Sequence, residues 1–509
     1  MIIKKWLIVI LIASTIFGCS TKNSNLTTSS DLTSYSEKYR PQFHFSPAVN
    51  WMNDPNGLVF YDGEYHLFYQ YNPYGTTWGH MSWGHAVTKD LLHWENLPVA
   101  IREYQDTKSG DSTMIFSGTV VVDTGNTSGL CTASDCMIAI FTSHVHKNGE
   151  GLLQHQSLAY SNDKGRIWTR YGKNPVLSID RKDFRDPKIF WHEESKSWIM
   201  VLVIPDLYKV RFYKSSNLKE WALLSEFGNI GDIKKIWECP DLYQLPVTND
   251  AGKKKWVLSL SGSHPAGSMY VGVQYFIGEF DGVKFIADDP KQPPMYVDYG
   301  KDFYAGIIFN NIPKEDGRTI MLGWGNNWAY ANKIPTSSWR STMSLPRELS
   351  LKKTQNGLIL TQQPVSAITS LRKNEITDAS AIEGNQIEVE MTINTASIKE
   401  RELSILKSDG GKTIIGYNKI SGEIFIDRTK AGNVSFHKDF SSIEKLKVNT
   451  INSEIKLHIF IDHSIIEVFI NDGEFTMSEQ FFPDGPYKIA SPNDAITVKA
   501  WILKSTWKD

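Results

Sequence analysis

Trp51-Met52-Asn53-Asp54-Pro55-Asn56-Gly57 is the stretch on which the reading of this 509-residue chain turns. A tryptophan, a single carboxylate and a Pro-Asn-Gly tripeptide stand just before the first strand-like run. Proline fixes its own φ and glycine accepts positive φ, so such tripeptides mark tight turns. Alone, the stretch reads as a turn that carries an acid. Two later segments, Arg185-Asp186-Pro187 and Glu238-Cys239-Pro240-Asp241, again hold an acid beside a proline and next to apolar residues. Acids so far apart in the chain share one pocket only if the fold returns them to a common centre.

The chain between these motifs suggests how that happens. From Asn53 to about Leu349 there is no long helical periodicity, only short apolar runs bounded by Gly, Asp and Asn. A strand, a polar turn and an aromatic ring recur at Thr88–Trp94, Ser161–Trp168 and Ser215–Trp221, and more weakly at Phe280–Phe285. The ring-to-ring spacing is about one four-stranded sheet plus loops. Radial repetition of small sheets is how a β-propeller disposes of its edge strands. The repeats alone give four to six blades. Acids near the starts of innermost strands would then face one axial channel.

The three motifs, with Phe184 and Trp237 preceding the second and third, resemble the signature motifs of glycoside hydrolase family 32 and occur in the same order. That family contains the invertases, inulinases and levanases, and the resemblance covers residues 40 to 505 roughly. It implies an all-β chain with a five-bladed β-propeller followed by a C-terminal β-sandwich. On this reading residues 1–19 are a signal peptide, 20–40 a flexible tether, 41–355 the propeller, 356–374 a linker and 375–509 the sandwich. The C-terminal strands carry their own signal. Gln386–Ile393 and Lys456–Asp462 alternate polar and apolar residues, the mark of half-buried antiparallel strands.

Retaining glycoside hydrolysis needs one carboxylate as nucleophile and a second carboxyl group that donates and later accepts a proton. The resemblance gives Asp54 the first role and Glu238 the second, and it makes Asp186 a transition-state stabiliser that holds ring hydroxyls. Asn53 and the turn amides are expected to keep Asp54 ionised. An apolar setting between Trp237 and Cys239-Pro240 is expected to keep Glu238 protonated, and Arg185 to keep Asp186 charged. Asn53, Gln70, Trp78, Phe116, Ser117, Arg185, Asp302 and Trp324 match sugar-binding positions of the family, with Trp328 competing with Trp324 for its role. The chemistry calls for no cofactor, and the Cys and His spacings, including His144, His146 and His155, match no metal site.

Bulk properties agree with a carbohydrate enzyme. The net charge of −2, from 54 basic and 56 acidic residues, gives no hint of nucleic-acid binding. The rings of 16 Trp, 21 Tyr and 24 Phe suit both β-structure and the apolar faces of sugars. Lys4 and Lys5 followed by the apolar run Trp6–Phe17 read as an export signal, too short to span a bilayer. The signal ends at Gly18-Cys19, which resembles a lipoprotein site, so Cys19 is expected to carry the lipid of an exported protein held on a bacterial membrane surface. Cys131 and Cys136 are placed to pair, and Cys239 is left as a buried thiol.

The expected function is release of fructose from β-fructans such as levan and inulin, and from sucrose, by attack at chain ends. Loops at 106–112 and 126–135 are expected to wall the pocket mouth. Endo-acting hydrolysis, fructosyl transfer and non-catalytic fructan binding remain as alternatives, although the last is disfavoured by the presence of all three acids.

Overall fold

A computed structural model describes residues 35–106, 109–234, 236–263, 272–376, 382–396, 401–407, 411–448, 450, 453–490 and 496–507. Cys19 and the rest of the expected signal lie outside these residues. Five antiparallel sheets succeed one another along the chain. Their inner strands are Asn50–Tyr61, Ser112–Val122, Arg185–His192, Ile236–Pro246 and Tyr304–Ile308, which we number as blades 1 to 5. Each inner strand touches the next, and the fifth touches the first, so the ring is closed. A parallel bridge from Val59 to Asn310 and the pairing of Trp51 with Arg340 join the first blade to the last.

Burial explains why the blades hold together. A separate apolar cluster fills each gap between neighbouring blades: Phe68, Trp83 and Val120 between blades 1 and 2, and Ile140, Ile189 and Met200 between 2 and 3. Val201, Phe212 and Leu258 lie between blades 3 and 4, Val257, Met321 and Leu351 between 4 and 5, and Leu58, Leu67 and Leu322 between 5 and 1. Strands covered on both faces read as continuous apolar runs rather than alternating ones, as in the wholly buried stretch Trp198–Ile204.

The recurrent turn has one structural position. In blades 1 to 4 it links the third strand to the aromatic that precedes or opens the outermost one. Asp90, Asp163, Asn217 and Asp281 each cap it by accepting backbone N–H groups a few residues ahead. Such side-chain turns are why Asp and Asn stand there. Blade 5 instead closes Arg347–Thr354 onto Gly357–Pro364 by a tight turn, so it lacks the repeat.

Two expectations are corrected. Asn53–Gly57 is not a turn. Asn50–Tyr61 is one strand, with breaks in pairing register between Met52 and Pro55 and between Asn56 and Val59. Gly57 sits in the second break with φ +54°, where a Cβ would lie 2.7 Å from Val120 and 2.8 Å from Phe68. The signals read as a turn are therefore those of a bulged strand. Secondly, the expected linker at 356–374 contains the outer strand of blade 5, and only 365–371 connect it to the sandwich strand Arg372–Ile376.

The C-terminal part is two six-stranded sheets, with Ile387, Val389, Met391 and Ile393 of the alternating strand in their shared core. Buried charges join it to the propeller. Arg347 of blade 5 donates to Glu467 at 2.7 Å and to Asp298 at 3.0 Å. His44 bridges Asp462 and Glu467 at 2.9 and 3.2 Å. Burial opposes charge on His44, but the two carboxylates prevail and lift its pKa to about 9.

Candidate active site

All five inner strands break register at one depth: at Met52/Pro55, Ile115/Gly118, Arg185/Lys188, Glu238/Asp241 and Tyr304/Ile307. The backbone takes positive φ at Asp186, Cys239 and Ala305, +63°, +45° and +51°. A bulge turns a side chain away from its place in the pleat and leaves backbone groups unpaired. Here the breaks hold Asn53, Asp54, Phe116, Ser117, Asp186, Glu238 and Cys239, which gathers the three acids at one end of the axis.

Asp54 is held through both oxygens. Asn53 Nδ2 donates to Oδ1 at 3.1 Å and Ser117 Oγ to Oδ2 at 2.8 Å. Trp51 Nε1 donates to Asn53 Oδ1 at 2.7 Å, which turns the amide N–H toward the acid. Burial raises the Asp54 pKa, the Asn53 hydrogen bond opposes that, and the charge of Glu238 adds to it. Asp186 Oδ2 accepts the Cys239 N–H at 2.9 Å, and the Cys239 thiol lies 3.5 Å from Asp54 Oδ2 and 3.8 Å from Asp186 Oδ2. Burial, with the carboxylates around it, keeps that thiol protonated.

Two of the expected environments differ. Glu238 does not stand in an apolar setting: its Oε1 accepts from Arg185 Nη2 at 3.0 Å and its Oε2 from the Tyr304 hydroxyl. Strand alternation sends the preceding residue, Trp237, to the opposite face, where it is buried, and the bulge turns Cys239 toward Asp54 and Asp186. Nor does Arg185 hold Asp186 ionised. Its guanidinium serves Glu238 and Asp183, the latter at 2.6 Å, and reaches Asp186 Oδ2 only at 3.8 Å through Nε. Burial therefore prevails over Arg185, helped by Glu238 and Asp54, and lifts the Asp186 pKa to about 7.

The remaining expected residues divide. Ser117, Asn53 and Arg185 touch the acids, as above. Gln70 is buried and donates to the Ile115 carbonyl at 3.0 Å, fixing the blade 2 bulge. Phe116 lies face to face with His144 at 4.4 Å, and Trp78, 41% exposed, meets Phe116 edge-on at the rim. Trp324 is fully buried behind Trp51 and Tyr304, while the partly buried Trp328 packs on it at 4.7 Å, so Trp328 is the ring with an open side. Asp302 is a correction: it is buried at the sandwich interface, accepting from Tyr330 at 2.5 Å and from Arg428. The strand begins at Tyr304, and the residue of this segment that reaches the acids is Tyr304.

The loop at 126–135 is also elsewhere. It follows the far end of the blade 2 inner strand, and Thr127 and Ser128 accept from Trp198 and Lys219 of blade 3. Its Cys131 is joined to Cys136, just past the loop. Sequence reading gave Cys239 no part in the site and did not single out Tyr304, Asp183 or Gln154. A backbone N–H at positive φ and a hydroxyl across the channel leave no motif-level signal.

Family profiles match nearly all of this architecture. The profile described as the glycosyl hydrolases family 32 N-terminal domain matches residues 44–364, and that for the family 32 C terminal matches 357–501. The chain is 42% identical over 501 residues to a levanase of Bacillus subtilis (strain 168), covering 94% of this chain and 72% of that one. It is 39% identical over 522 residues to an extracellular exo-inulinase of Aspergillus niger, covering 93% and 96%. The crystal structure of the exo-inulinase from Aspergillus awamori superposes with TM-score 0.84 at 37% identity, over 93% of this chain and all of that one.

The raised Asp186 pKa has a consequence for stability. Between about pH 4 and pH 7 the folded protein keeps a proton there that the unfolded chain has released, so this group's contribution falls as pH rises through that window. Asp186→Asn has no charge to desolvate. It is expected to be more stable than wild type at pH 8, by on the order of 1–3 kcal/mol, with the advantage vanishing near pH 4. Urea denaturation at the two pH values checks this, and a variant less stable than wild type at pH 8 would contradict it.

Proposed function

This chain belongs to glycoside hydrolase family 32, and from that premise we propose that it releases fructose from the ends of β-fructans with retention of configuration. The observation that carries the reading is the pairing of differently held carboxyl groups. Asp54 accepts from neutral donors, Asn53 and Ser117, whereas Glu238 lies between Arg185 and Tyr304. In the first step Asp54 attacks the anomeric carbon while Glu238 gives its proton to the glycosidic oxygen, so the leaving chain departs as an alcohol and a fructosyl ester forms on Asp54. In the second, Glu238 takes a proton from water, the resulting oxygen attacks the same carbon, and Asp54 is released as carboxylate. Asp186, held by the Cys239 N–H, is placed to bind hydroxyls whose grip strengthens as the ring flattens.

Levan and inulin are the substrates to which the relatives' names point, with exo action named for the inulinase. A pocket closed behind one furanose unit is supported by Trp51, Trp324 and Trp328 packing behind the acids. The single-residue tests are Asp54→Asn and Glu238→Gln, which remove a chemical role without adding bulk. Each is expected to lower turnover on levan by at least ~10³-fold, or ~4 kcal/mol of barrier, with the fold intact. Free fructose is the expected main early product of wild type. Activity within about tenfold of wild type in either variant, a change of ~1.4 kcal/mol, would refute the roles, and early oligosaccharide ladders would point to endo action.

The protein is also proposed to be exported and held at a membrane surface by lipid on Cys19, supported by the basic and apolar residues before it and by the extracellular inulinase relatives. Cys19→Ala should then move activity from the membrane fraction to the soluble fraction; unchanged fractionation would refute the anchor.

A further inference from the structure

We propose that Asp183 is a positioning residue that sets how readily Glu238 holds its proton, acting through Arg185. The proposal rests on Glu238 being the acid. Glu238 has to keep a proton until the glycosidic oxygen takes it, yet its Oε1 lies 3.0 Å from Arg185 Nη2. A permanent cation at that distance favours the carboxylate and works against the acid. The same guanidinium presents Nη1 to Asp183 Oδ1 at 2.6 Å. One planar fork thus carries a carboxylate at each of two nitrogens, which fixes its plane and divides its charge.

The other groups around the fork do not perform this task. From blade 2, Gln154 Oε1 lies 3.4 Å from Nη1 but is neutral, and burial lowers the nearby His144 pKa to about 4, so it carries no charge at neutral pH. From blades 4 and 5, burial holds the Cys239 thiol and the Tyr304 hydroxyl in their protonated forms. Asp186 reaches Nε only at 3.8 Å, and Asp54 of blade 1 is engaged with Asn53 and Ser117. Lys182, the cation adjoining Asp183, is directed to Glu150 at 3.4 Å. Asp183 is the carboxylate in hydrogen-bond contact with the free side of Arg185, and its side chain is 47% exposed. Its influence is therefore open to salt, unlike that of the buried acids.

The pH profile of kcat/KM tests this, because its alkaline limb reports the acid of the free enzyme. Asp183→Asn keeps an acceptor for Nη1 but removes the charge, and its alkaline limb is expected about 0.5 pH unit below that of wild type. Asp183→Glu restores the charge and should restore the limb. In about 1 M NaCl, where the Debye length is ~3 Å, the wild-type limb should approach that of the Asn variant. A purely structural residue would lower kcat and leave the limb in place, so an unmoved limb, or one moved upward, overturns the proposal. If the Asn variant does not fold, the wild-type salt shift decides alone: no shift overturns the proposal. Glu238→Gln, assayed on an aryl β-fructofuranoside whose phenol leaves unprotonated, must lack the alkaline limb. Its persistence there would refute Glu238 as the acid, separately from any result at Asp183.

Discussion

Five inner strands crowd around one axis, and each loses its ladder register at the same depth, between Met52 and Pro55 in the first blade and at matching places in the others. A regular strand would send alternate side chains into the two interblade cores. The break instead turns Asp54 and Asp186 out of the pleat toward Glu238, the last paired residue before the break in its own strand. It also frees backbone groups, and the Cys239 N–H that holds Asp186 is one of them. The site is thus a property of the closed ring: no blade holds it, and each contributes one piece.

Bringing three carboxyl groups together in a buried place is unfavourable, and the surrounding residues show how that strain is distributed. Asp54 accepts from Asn53, Ser117 and the Cys239 thiol, Asp186 from the Cys239 N–H and thiol, and Glu238 from a cation, Arg185, and a phenol, Tyr304. Burial still prevails at Asp186, which is why its charge costs stability and why a neutral residue there should stabilise the fold at the expense of activity. Below the site the same logic is repeated by Lys188 and Asp241, a buried pair at 3.0 Å that also binds both the carbonyl and the N–H of Ile308. That pair ties together the blades carrying Asp186, Glu238 and Tyr304.

Much of this was legible because the chemistry lies in short, local motifs. Asp54 and Asp186 each precede a proline at a bulge, Glu238 stands two residues before Pro240 at another, and the recurrent Asp or Asn turn before an aromatic marks four of the blades. What stayed hidden depends on contacts across the channel. The motif around Asp302 points to the pocket, but the strand starts at Tyr304, and Arg428 of the sandwich claims the aspartate. The apolar neighbours of Glu238 suggested an apolar setting, although strand alternation sends Trp237 to the other face and leaves Glu238 beside Arg185 and Tyr304. The length of the 126–135 loop suggests a wall of the mouth, but sequence does not tell which end of a strand lies near the acids.

The central claim is that Asp54 becomes covalently bound to fructose while Glu238 serves both steps. Glu238→Gln, given an aryl β-fructofuranoside that needs no proton to leave, can complete the first step but lacks the base for the second. Rapid quenching and peptide mass spectrometry should then find a fructosyl ester on the peptide containing Asp54. An ester on another residue, or no ester together with product of inverted configuration, would contradict the account.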